Sequence, residues 1–105
     1  MKKADVAITR YNEDDKLVRD CFNALSKQKN VKLNILYFEQ NKIDFSKELS
    51  KKLSNSNIKF IFKKINPISL SYARDLGIKL SKNNYILFTD IDAIPKNNWA
   101  EEMIN

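Results

Sequence analysis

The chain has 105 residues, 43 % of them apolar, enough for one domain with a real core, so a disordered or fibrous protein is excluded. Its formal charge of +6 would suggest nucleic acid or an anionic membrane, but Lys, Asn and Ile supply 41 of the 105 residues and the lysines are scattered, the mark of an AT-rich coding sequence and a solvated surface. Without histidine, an imidazole base or a His-ligated zinc is excluded within this chain, and the single cysteine, Cys21, cannot form an internal disulfide.

In chain order, Asp5 to Thr9 ("DVAIT") reads as a short apolar strand that ends in a polar loop, "RYNEDD". Glu13, Asp14 and Asp15 then fall in or near the first turn of a helix, where the helix dipole favours negative charge. Leu17, Val18, Cys21, Phe22 and Leu25 follow at helical spacing, which makes Cys21 a small core residue of a reducing compartment. Val31 to Glu39 ("VKLNILYFE") is a second strand. Phe45, Leu49 and Leu53 recur every four residues in a lysine-rich surface helix, and "NIKFIFKKI" is a third strand. Ile68 to Leu80 predicts a helix with Leu70, Ala73, Leu76 and Leu80 on one side and Ser69 or Ser71 as its cap. Tyr85 to Asp90 ("YILFTD") is a fourth strand, apolar on both faces as a buried central strand should be.

This β-α-β-α-β-α-β order predicts an α/β fold with a mostly parallel sheet, helices on both faces and ligands outside the carboxyl ends of the strands. Three polar loops gather at that edge: "RYNE", "EQN" and "DID". The only glycine is Gly77, so neither of the glycine-rich phosphate loops occurs. No apolar run approaches the roughly 18 residues of a membrane span, and "MKK" is not followed by a signal-peptide core, which gives the expectation of a cytoplasmic chain, peripheral at a membrane at most.

Asp90 and Asp92 leave the fourth strand one residue apart. In an extended segment they would project to the same side while Ile91 turns back into the core. Two carboxylates so close repel unless a proton or cation lies between them, and Mg²⁺ or Mn²⁺ takes such oxygens together with substrate phosphates. The same residues also suit a solvated turn before Pro95. A haloacid-dehalogenase-type phosphatase places D-x-D after a strand too, but near its amino end and with threonine soon after, whereas Ala93-Ile94 follow here. A non-catalytic α/β module binding a nucleotide or nucleic acid is the other alternative, although no specific nucleic acid is expected.

Taken together, Tyr11-Asn12-Glu13, Ala73-Arg74-Asp75-Leu76-Gly77 and Asp90-Ile91-Asp92 with Pro95 resemble the family 2 type glycosyltransferases of the GT-A nucleotide-sugar-binding fold. "YFEQ" at Tyr37 to Gln40 is similar to the galactosyltransferase and chondroitin-polymerase branches. The resemblance runs from Ala4 to Met103, with Asp75 where the family usually has Asn. It implies transfer of a hexosyl group from a nucleotide-diphospho-sugar, a UDP-sugar by expectation, to a saccharide or other hydroxyl.

By the same resemblance Thr9, Tyr11, Asn12 and Glu13 hold the nucleoside, and Glu39 approaches the base. Arg74 faces the diphosphate or sugar, Asp90 contacts the ribose or the metal, and Asp92 binds Mn²⁺ or Mg²⁺ directly. Residues 1–105 then correspond to the amino-terminal donor half, cut shortly after the D-x-D motif. The acceptor site and catalytic base would lie outside it, so whether this chain alone is an enzyme is left open. Self-association through the surfaces that the other half would cover is a further expectation.

Overall fold

A computed structural model describes residues 1–40, 43–66 and 70–104. Strand β1 (Lys2–Thr9) pairs in parallel with β2 (Val31–Glu39) on one side and with β4 (Ile86–Phe88) on the other, and β3 (Ile58–Lys64) pairs in parallel with β2. The sheet order is therefore β3-β2-β1-β4. Helices α1 (Asp15–Ser26), α2 (Ile43–Leu53), α3 (Leu70–Leu80) and α4 (Trp99–Ile104) complete the chain. Helix α3 is described from Leu70, and Ile68, the expected start, lies outside the described residues. Ser69 and the Ser71 side chain, the expected caps, lie outside the described residues.

Alternation along the strands divides the core in two. Ala4, Val6 and Ile8 of β1 and Leu33, Ile35 and Tyr37 of β2 face α1, α2 and α4. Ala7, Leu36 and Phe38 face the other way, against Leu76 and Leu80 of α3. Helix α1 begins where the Asp14 side chain accepts from the Leu17 amide at 3.0 Å, an acidic N-cap. It buries Val18, Cys21, Phe22 and Leu25 but leaves Leu17 exposed. Phe22 stacks on Phe60 at 4.6 Å and meets Tyr37 edge-on at 4.8 Å, pairs worth ~1 kcal/mol each beyond simple burial.

The expectation of a central, doubly buried fourth strand is corrected. Among the described residues β4 is an edge strand of three residues, with Leu87 buried and Phe88 exposed. Its apolar run serves unlike surroundings: Leu87 joins the α1 and α4 core, Ile86 packs on the α3 side, and Phe88 lies at the surface. No helix among the described residues is long and apolar enough to cross a membrane.

The chain steps outward from β1 to β2 and β3, then returns through α3 to β4 on the opposite side of β1. Loops leaving the carboxyl ends of β1 and β4 consequently diverge, and the crevice between them is where an open parallel sheet accepts a ligand.

Candidate functional site

A cleft of about 190 Å³ occupies that crevice. Thr9, Tyr11 and Glu13 line it from the β1 side, Ala73 and Arg74 from α3, and Thr89, Asp90 and Asp92 from the β4 exit. Six of the expected site residues are thereby brought together from three separated stretches. Asn12 is exposed and does not line the cleft.

Beyond Thr9 the Arg10 amide donates to the Phe38 carbonyl at 3.0 Å, extending the β1–β2 ladder by one residue before the chain turns. The Tyr11 amide then donates to Glu13 Oε1 at 2.7 Å. Beneath the loop lies Arg10, whose side chain is 4 % exposed. Its Nε donates to the Glu13 carbonyl at 2.9 Å, one terminal nitrogen to Asp15 at 2.8 Å and the other to Glu39 at 3.2 Å.

The β4 exit departs from the extended geometry expected for it. Strand pairing stops at Phe88, and the Ala93 amide donates to the Asp90 carbonyl at 3.0 Å, closing a turn over Asp90 to Ala93. Ile91 is buried in the core as expected, and both carboxylates remain exposed along the cleft. The turn rests on α1, with Cys21 Sγ 3.9 Å from the Asp90 carbonyl. Burial, reinforced by the Asp92 and Asp90 carboxylates, pushes the Cys21 thiol up to about 12, so this cysteine stays a protonated core residue. The Tyr11 phenol is likewise raised, first by burial and then by Glu13 and Asp90, with Arg74 acting the other way. Those four groups therefore share one local field.

On α3, Gly77 allows the helix to lie against β1, because a β-carbon there would come within 2.8 Å of the Ala7 β-carbon. One turn earlier, Arg74 extends over the Phe88 ring at 5.6 Å and makes no ion pair among the described residues.

Glu39 is the second expected site residue that does not line the cleft. It has the same parity on β2 as Ile35 and Tyr37, so it points to the α1 and α2 face and is fully buried. There it accepts from Arg10, from the Tyr37 hydroxyl at 2.9 Å, from Ser46, and from the Gln40 amide at 3.0 Å. The expected approach to a base is replaced by an internal polar cluster.

Two further residues escaped the sequence reading. Arg10 could have been flagged as a cation set between an apolar strand and the acids Glu13 to Asp15. Gln28 carried no signal: its buried amide donates to the Lys96 carbonyl at 2.7 Å and accepts from the Ala100 amide at 2.9 Å, tying the end of α1 to the segment after the D-x-D turn.

No cluster of three or more metal-ligating side chains exists among the described residues. Asp90 and Asp92 supply two hard oxygen donors at an open turn, a set that fits a Mg²⁺- or Mn²⁺-sized ion completed by water and ligand oxygens, and not an all-protein cage.

The profile of the family described as Glycosyl transferase family 2 matches residues 5–105. A direct comparison with curated protein sequences finds no match. Among solved structures, S. aureus TarS 1-349 superposes with a TM-score of 0.75 at 20 % identity, covering 99 % of this chain and 31 % of that one. The same protein in complex with UDP-GlcNAc gives 0.78 at 18 % identity (99 % and 30 % covered), and with UDP 0.75 at 21 % identity (99 % and 31 %). The parallel sheet flanked by helices is thus the GT-A fold, and the chain spans about a third of the length of these relatives.

Proposed function

The chain belongs to glycosyl transferase family 2, and from that premise we propose that it carries the donor side of a sugar-transfer site, taking a nucleotide-diphospho-sugar in the cleft between the β1 and β4 exits. The observation that carries this reading is the convergence of Tyr11, Glu13, Arg74, Asp90 and Asp92 at the switch point of the sheet. Complexes of the structurally similar TarS with UDP and UDP-GlcNAc favour uridine as the nucleoside.

In this reading Tyr11 lies beside the base, and Glu13 accepts hydrogen bonds from base or ribose. Arg74, already held over Phe88, meets the diphosphate with a planar fork that suits phosphate better than lysine does. Asp90 and Asp92 hold Mn²⁺ or Mg²⁺ with the diphosphate. When bound there, the ion offsets the negative charge that grows on the departing diphosphate. The acceptor is a saccharide or another hydroxyl compound.

Calorimetric titration with UDP, with and without Mn²⁺, tests the site. Affinity should rise on adding Mn²⁺, and Asp92→Asn should remove about tenfold or more of that gain, the scale on which disturbing a metal's support weakens it. Asp90→Asn should weaken UDP less through the metal. Metal-free stability should stay within about 0.5 kcal/mol in both variants, because each removes one of two exposed like charges. Affinity indifferent to metal and to both substitutions would reduce the pair to a solvated turn.

A further inference from the structure

The loop that carries Tyr11 and Glu13 is joined to the body of the protein through Arg10. Asn12 and Asp14 are exposed, and the Glu13 carbonyl accepts from the Arg10 Nε. That guanidinium reaches three elements at once: the loop through the Glu13 carbonyl, the start of α1 through Asp15, and the end of β2 through Glu39. Glu39 is fixed in turn by the Tyr37 hydroxyl, by Ser46 of α2 and by the Gln40 amide. Phe45 covers the cluster, 5.8 Å from the guanidinium. A buried ion pair of this sort contributes little net stability compared with an apolar pair of equal volume, so a role in fixing one conformation is the better account of its presence.

We propose that Arg10 is a positioning residue for the nucleotide cleft, and that Glu39 acts on bound nucleotide through Arg10 and not by touching the base. This rests on the nucleotide reading of the cleft. The geometry calls for arginine in particular: three divergent acceptors need a planar fork, and a lysine ammonium on a flexible stem keeps the charge opposite Glu39 without spanning Glu13 and Asp15. Arg10 would then set where Tyr11 and Glu13 stand in the cleft while contacting neither ligand nor metal.

The test is backbone hydrogen exchange and UDP and ADP titration, both with Mn²⁺, on the full chain and on Arg10→Lys and Glu39→Gln. In Arg10→Lys, exchange should rise over residues 11–17 without ligand while β2 keeps its protection, and UDP should bind roughly tenfold more weakly, the order expected for losing charge-assisted hydrogen bonds. Glu39→Gln, nearly isosteric and able to keep the Tyr37 contact, should weaken UDP and ADP by the same factor and loosen the same loop. Unchanged loop exchange in Arg10→Lys overturns the proposal, as does a rise spread evenly over the chain. A Glu39→Gln loss confined to UDP also overturns it, since that pattern means direct base contact. If the unsubstituted chain binds no nucleotide, the reading of the cleft fails, and the exchange measurement still decides whether Arg10 holds the loop.

Discussion

Asp5 shows how one side chain near the amino end of β1 governs a connection far along the chain. It is buried, and its carboxylate accepts from Ser81 Oγ at 2.5 Å, from the Lys82 and Asn83 amides at 2.7 and 2.9 Å, and from Asn83 Nδ2 at 3.0 Å. Burial pushes its pKa up, but the bonds from Ser81, Asn83 and Lys82, with help from Asn34, outweigh it and hold the group below its ordinary 3.8. The folded state then binds fewer protons than the unfolded one across that interval. The stabilisation is therefore complete above the ordinary value and is lost as pH falls through the lowered one. Asp5→Ala should cost about 2 kcal/mol near neutrality, because it strands two backbone donors. In urea denaturation the gap between the two proteins should narrow below about pH 4; a gap constant with pH would contradict the assignment.

At the scale of an element, α3 is placed by its closest approach to β1. Alanine at Gly77 would gain about 1 kcal/mol of helix propensity. The 2.8 Å clash falls on Ala7, which sits on a strand and cannot swing aside, and overpacking of this kind costs about 1–3 kcal/mol. The clash should win, so Gly77→Ala is expected to lower stability by about 1 kcal/mol and to weaken UDP binding as α3 carries Ala73 and Arg74 away from the cleft. Ala7→Gly in the same chain should restore much of both. Thermal melts and titrations of the three proteins check this, and a Gly77→Ala protein as stable as the parent would show that the helix has room.

At the scale of the whole molecule, two openings with unlike linings lie at opposite ends of the sheet. Glu13, Asp90 and Asp92 set the sign of the cleft at the carboxyl edge, with Arg74 as their counterpart. Lys3, Lys32 and Lys59 line a separate groove of about 260 Å³ at the amino edge, Lys3 and Lys32 facing each other across neighbouring strands. From Lys3 to Thr9 is six steps along β1, roughly 20 Å. The screening length at physiological salt is about 8 Å, so the lysines should not be felt in the cleft. Replacing Lys3, Lys32 and Lys59 by Gln should leave Mn²⁺-supported UDP affinity within about twofold at that salt, while any weak, salt-sensitive DNA binding should fall. A large loss of UDP affinity would mean that the positive face steers or holds the ligand.

Apart from Arg74, which only the family resemblance placed there, the sequence by itself determined the element order, the parallel sheet, the apolar stripe of α1 and the gathering of the loops that carry Tyr11, Glu13, Asp90 and Asp92 at one edge. It could do so because side-chain periodicity and strand–helix alternation are local properties that constrain topology strongly. The inward aim of Glu39 follows from strand parity, since it continues the buried positions Leu33, Ile35 and Tyr37, whereas the family resemblance implied an approach to the base. Only the tertiary structure decided that the apolar fourth strand is an edge among the described residues and that Asp90 to Ala93 closes a turn. Likewise, the spans from Arg10 to Glu39, from Gln28 to Ala100 and from Asp5 to Asn83 join residues between 29 and 78 positions apart. Such contacts depend on which strands become neighbours and which polar groups are left without water, and the local pattern of residues carries neither.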